Sequence, residues 1–234
     1  MQINSDFSQR VVVLPEDYEF IDSPLAGVSR MLLDRAGGEV ARATSIVRYA
    51  AGSGYSAHTH NGGEEVLVLD GVFADEHGTY PAGTYLRNPP GTSHQPFTLE
   101  GCTLLVKLWQ FAEGDHTQLV CNTQHSLWQP GLVEGVSVLP LHEYKGINTA
   151  LVRWAANTQF KQHSHPGGEE ILVLEGLLSD EYGEYPAGSW LRNPIGSSHT
   201  PFTQEQGALI YVKTGHLAAS LLGDKFLKLP DLER

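Results

Sequence analysis

A chain of 234 residues, 41% hydrophobic and 18% charged, is composed like a folded globular protein and is long enough for two domains of about 100–150 residues. Its formal net charge of -12 excludes nucleic acid and anionic membrane surfaces as natural partners, because either would repel it. The two cysteines, Cys102 and Cys121, form no Cys-x-x-Cys motif and suggest no disulfide framework. The opening MQINSDFSQRVVVLPEDYEF lacks a basic start followed by an apolar run, so no signal peptide is expected. No apolar run approaches the ~18 residues of a membrane span. These features predict a cytoplasmic protein.

Along the chain, strands and turns alternate. Residues 43–50 are rich in β-branched and apolar side chains, and predict a strand. His58-Thr59-His60 follows, then Asn61-Gly62-Gly63-Glu64, a turn with glycines that tolerate positive φ. EVLVLDG (65–71) predicts a buried strand ending in a turn, and the Gly/Pro-punctuated stretch from 78 to 94 excludes a helix. After a polar stretch near 113–125 the pattern restarts. TALVRWAA (149–156) matches TSIVRYAA (44–51), and residues 163–203 match 58–98 at about two thirds of positions. The boundary predicts domains at 1–118 and 119–234. Helical signals are confined to short stretches such as residues 216–222. The fold expected is all-β, with two tandem antiparallel barrels or jelly rolls.

The duplication carries a set of metal-ligating residue types. His58, His60 and His94 recur 105 residues later as His163, His165 and His199. Residues two apart on a strand face the same way, so each His-x-His aims two imidazoles at one point. A glutamate follows, either Glu64 or Glu65 in the first copy and Glu169 or Glu170 in the second. Imidazole and carboxylate are the usual ligands of borderline divalent metals. One metal per domain is expected. His77, His116, His125, His142 and His216 have no counterparts and read as surface or structural residues.

These residues resemble the cupin signature. Gly52, His58, His60, Glu64 and Gly71, then Gly83, Pro89, Gly91 and His94, fit its two halves in copy one. His163, His165, Glu169 and Gly176, then Gly188, Pro194, Gly196 and His199, fit in copy two. The departures are Asn157 in place of the first glycine, and Thr98 and Thr203 in place of a terminal asparagine. The spacing to Gly71 and Gly176 selects Glu64 and Glu169 as ligands, leaving Glu65 and Glu170 to solvent or a salt bridge. The resemblance implies two double-stranded β-helix, RmlC-like jelly-roll barrels.

Within the cupins, the flanking sequence is similar to the cupin-like domain of ChrR-type anti-sigma factors. That similarity implies zinc on His58, His60, Glu64, His94, His163, His165, Glu169 and His199; iron, manganese or nickel would also suit the set. The helical zinc domain that carries anti-sigma activity in that family has no counterpart in this sequence, so a sigma-factor partner is not implied. The expected function is ligand sensing or an oxidative-stress response, with a metal-dependent dioxygenase of a small carbonyl or carboxylate substrate as the enzymatic alternative. A small-molecule ligand and, on family grounds, a homodimer are expected. Tyr80, Arg87, Tyr185 and Arg192 stand as substrate-pocket candidates, although Arg87 and Arg192 could instead pair with Asp75 or Glu76 and Asp180 or Glu181. Lys107 and Lys213 read as surface residues. Tyr49/Trp154 and Tyr85/Trp190 read as packing aromatics.

Overall fold

The computed structural model describes residues 1–38 and 40–217, which form two compact units. One comprises residues 1–5 and 19–126. The other comprises 6–18 and, of the described residues, 127–217. Both are all-β apart from two 3-10 turns, Pro15–Asp17 and Thr123–His125. Residues 218–222 of the expected helical stretch lie outside the described residues.

The first unit has a large antiparallel sheet ordered Gln2–Ile3, Val28–Gly37, Ala41–Tyr49, Cys102–Leu108, Glu64–Asp75, Thr84–Asn88 and Leu119–Asn122. A separate two-stranded sheet pairs His58–Thr59 with Ser93–His94. The second unit repeats this as Gln129–Pro130, Val136–Tyr144, Ile147–Trp154, Phe202–Thr214, Glu169–Asp180, Trp190–Asn193 and Val11–Val13. Its small sheet pairs His163–His165 with Ser197–His199.

The expectation of two barrels is corrected by this topology, because no sheet closes on itself. Each large sheet is an open ladder with different strands at its two ends, and the histidine strands pair only with each other. Proline explains the break. Thr84–Asn88 runs into Pro89-Pro90, and Trp190–Asn193 runs into Pro194; neither proline can donate a ladder hydrogen bond. The outermost ladder position is taken instead by Leu119–Asn122 or Val11–Val13.

The longest duplicated strands hold each unit together. Val66, Val68, Phe73, Leu86 and Leu104 form the first core, and Ile171, Val173, Leu178, Leu191 and Ile210 the second. Each long strand bends at a glycine with positive φ, Gly71 or Gly176. A Cβ there would come within 2.2 Å of the Gly101 or Gly207 carbonyl oxygen, so only glycine fits. Asn157 takes φ 53 where Gly52 takes φ 73, which explains why asparagine can replace the first signature glycine.

Candidate metal centres

Strand register builds each site. His94 lies directly opposite His58 in the first small sheet, and His199 opposite His163 in the second. Alternation carries His60 and His165 to the same side as their partners. After the glycine turn, Glu64 and Glu169 open the next long strand.

In the first unit the three imidazole rings lie 4.7–5.0 Å apart, centroid to centroid. Glu64 Oε2 is 3.4 Å from His60 Nε2 and 3.6 Å from His94 Nε2. Both of those nitrogens are buried without a hydrogen-bond partner. Orphaned imidazole nitrogens converging on a carboxylate are what a cation would satisfy. In the second unit, ligand atoms of His163, His165, Glu169 and His199 all lie within 4.8 Å of one another. Glu169 Oε2 is 3.4 Å from His165 Nε2 and 3.5 Å from His199 Nε2, and those two nitrogens are 3.1 Å apart. His58, His60 and His94 meet the same 4.8 Å limit in the first unit. The donor chemistry fits a divalent metal in both.

A second layer of contacts aims the rings. His58 Nδ1 lies 2.9 Å from the Ser56 carbonyl, and His163 Nδ1 3.0 Å from that of Lys161. A carbonyl only accepts, so the proton sits on Nδ1 and Nε2 is left with its lone pair. His94 Nδ1 meets Asp75 Oδ2 at 3.2 Å, and His199 Nδ1 meets Asp180 Oδ2 at 3.3 Å. The Tyr80 hydroxyl donates to Asp75 Oδ1 at 2.9 Å, and Tyr185 to Asp180 Oδ1 at 2.6 Å. Asn88 and Asn193 donate to Glu64 and Glu169 at 3.1 and 2.9 Å. Such outer contacts fix tautomer and orientation of a metal ligand.

Burial sets the protonation states. It pushes His60 and His165 down to about 4, with neighbouring imidazoles adding to the effect, so both are neutral and available as ligands near pH 7. It also pushes Glu64 and Glu169 upward, against the opposing pull of His94 and Asn88 on the first and of His199 and Asn193 on the second. The third histidines differ. Burial lowers His94, whereas for His199 the Asp180 hydrogen bond and the Glu169 charge outweigh burial and raise it. In the second unit Arg10 also reaches Asp180 at 3.4 Å and Asn193 at 3.0 Å, from the strand register that Gln118 holds in the first.

Each site opens onto a cavity, of about 310 Å³ beside the first and about 220 Å³ beside the second. Of the pocket candidates, Tyr80 and Tyr185 support the third histidine through aspartate; none of Tyr80, Tyr185, Arg87 and Arg192 lines these two cavities, but Tyr80 lines a further one of about 270 Å³ that also touches His60 and His94. Arg87 bonds Asp115 at 2.8 Å and approaches Glu65 at 3.5 Å, not Asp75 or Glu76. Arg192 donates to the Asp6 carbonyl at 3.0 Å and covers the Phe7 ring.

Several residues expected at the surface are buried. Lys107 and Lys213 are each 1% exposed, and Lys107 donates to Thr44 at 3.0 Å. Glu65 and Glu170 turn inward, Glu65 to Arg87 and Glu170 to Trp190 Nε1 and His216. Tyr49 and Trp154, expected only to pack, line the cavities. Asp75 and Asp180 were legible only as duplicated acids, and their distance in sequence from the histidines hid their role.

A family profile described as the ChrR Cupin-like domain matches residues 8–112 and again 116–218. The chain belongs to the ChrR cupin-like domain family. The two matches follow the internal duplication, so this is a bicupin. No curated protein matches it. Among solved structures, a proposed dioxygenase from Nostoc punctiforme is similar at a TM-score of 0.71 and 16% identity, covering 92% of this chain and 91% of that one. Bacterial pirin YhhW from Escherichia coli, in complex with nickel(II), is similar at 0.64 and 13%, covering 88% and 99%. Oxalate decarboxylase from Bacillus subtilis, with Mn(II) centres, is similar at 0.62 and 13%, covering 89% and 78%. At such identities the likeness establishes a shared fold. This cupin-fold chain thus carries two clusters able to hold a metal, one in each unit. Among the described residues no helix is long and apolar enough to cross a membrane.

Proposed function

We propose that this bicupin is a metal-dependent oxygenase of a small carbonyl or carboxylate substrate. The observation that carries the reading is an adjoining cavity in each unit beside three clustered imidazoles and a carboxylate, Glu169 within the second cluster and Glu64 at 3.4–3.6 Å from two imidazoles of the first. His58, His60, Glu64 and His94 would hold one metal, and His163, His165, Glu169 and His199 the other. Four protein donors leave about two positions open on an iron, manganese or nickel ion that prefers six. A bound ion of this kind supplies Lewis acidity toward a substrate oxygen and, for iron or manganese, access to O2 chemistry.

The chain's own residues supply the rest. Asp75 and Asp180 hold the third imidazole in its ligating tautomer. Val47, Val66, Phe73 and Leu104 give the first cavity a largely apolar wall, which excludes water from a reacting group. The likeness to a proposed dioxygenase and to an oxalate decarboxylase with Mn(II) centres supports chemistry over ligand sensing alone.

Oxygen consumption by iron-loaded protein tests this. Across β-diketones, oxo-carboxylates, cysteine-like thiols and aromatic diols, at least one class should drive uptake well above the protein-free rate. Background uptake throughout would contradict the proposal.

A further inference from the structure

The two cavities are built from the same strands but are not chemically equivalent. Arg30 lines the first, and in the strand pairing it lies opposite Val47. Val47 corresponds to Val152, whose partner is Val138. So an arginine in the first unit stands where the second has a valine. Two further positions change with it. Tyr49 corresponds to Trp154 and Tyr55 to Phe160, all four lining their cavities. The first cavity therefore gains a guanidinium and two phenols, while no lysine or arginine among the described residues lines the second.

Arg30 is half-buried, and its Nε is buried with no hydrogen-bond partner. An arginine carries five N–H donors in a planar fork whose best partner is a carboxylate. Among the described residues no carboxylate other than Glu64 lines the cavity, and Glu64 is engaged by Asn88, His60 and His94. Tyr49 cannot supply the anion either. Burial, reinforced by the Glu64 charge, pushes its hydroxyl well above the usual phenol range, so it remains a neutral donor. Arg30 thus brings positive charge and donors to the cavity with no carboxylate partner among its described lining residues, while the Tyr55 hydroxyl is already bonded to Ser23 Oγ at 2.7 Å.

We infer that the first unit's cavity selects a small oxo-carboxylate, with the carboxylate on Arg30 and the oxo group toward His58, His60 and His94, and that the second unit's cavity lacks this selectivity. The cavity of about 310 Å³ limits the ligand to roughly ten non-hydrogen atoms, at the ~30 Å³ that a water molecule occupies in the liquid. This deepens the proposed function by naming the substrate class and the unit that takes it. It depends on that reading only for the chemistry, not for binding.

Zinc-loaded protein separates the two, because zinc does not change oxidation state. The probe is 4-oxopentanoate, and its neutral control is hexane-2,5-dione, in which the carboxylate is replaced by an acetyl group. Isothermal titration should give one 4-oxopentanoate site per chain, and the dione should bind at least about tenfold more weakly, as expected for loss of a charged hydrogen-bond pair. Arg30→Met and Arg30→Gln should each weaken 4-oxopentanoate by a similar factor while elemental analysis still finds the parent metal content. Equal affinity for acid and dione, unchanged affinity in both variants, or no binding of the acid to the parent protein would each overturn the inference. Arg30-dependent binding without oxygen uptake by the iron-loaded protein would instead retire the oxygenase reading and leave this one standing.

Discussion

Replacing His60 and His165 together with alanine is expected to reduce metal content from two ions per chain to none. Each side chain supplies a buried nitrogen with its neighbours converging on the same point, and each contributes one donor of a four-donor set. Removing an outer hydrogen bond to a ligand already costs about 10–100-fold in metal affinity, so removing the ligand itself should cost more. The single variants should each retain one ion, because the two sets lie on separate sheets and share no residue. Elemental analysis after dialysis against a weak chelator checks this. Two ions retained by the double variant would mean that the metal sits elsewhere.

The largest effect on stability is expected from Arg87→Ala. Arg87 is 2% exposed, bonds Asp115 at 2.8 Å, approaches Glu65 at 3.5 Å and covers the Phe111 ring. Its loss removes a buried cationic partner from each of two carboxylates and empties a volume beside them. Breaking a buried pair in this way costs about 3–5 kcal/mol, far more than a surface pair. At ~4–8 °C per kcal/mol for a domain of this size, the melting transition of the first unit should fall by more than about 10 °C. Adding Glu65→Gln and Asp115→Asn removes the two carboxylate charges that faced Arg87 and should restore part of the loss. A melting curve within a few degrees of the parent would show that Arg87 contributes little.

Both expectations show what sequence could and could not reveal. His58, His60, Glu64 and His94 were legible because a period-two strand and a fixed glycine spacing are local features, and the second copy repeats them. The all-β class followed from the same turns and prolines. Barrel closure did not, because closure depends on which distant strand takes the last ladder position. That place falls to Leu119–Asn122 in one unit and Val11–Val13 in the other.

The buried charges escaped for a related reason. Lys107, Glu65 and Arg87 each carry a charge whose desolvation cost favours the surface unless a partner is present. Their partners, Thr44, Arg87 and Asp115, come from other strands or from the segment after the repeat. Asp75 lies on the far end of the strand that Glu64 begins, and only the hairpin return brings His94 to it. Arg30 follows Gly27-Val28-Ser29 as Val138 follows Gly135-Val136-Ser137, so the arginine-for-valine difference was legible, but only strand register and the cavity lining gave it a place beside the metal centre.

X-ray absorption spectroscopy of the iron-reconstituted parent protein tests the central claim most directly. The account predicts about six donors per ion, three of them imidazoles identifiable by their outer-shell scattering, one a carboxylate and about two from solvent or substrate. Adding a bound substrate should alter only the last of these. A closed four-donor environment that no small molecule perturbs would contradict catalysis at these centres and leave them as structural sites.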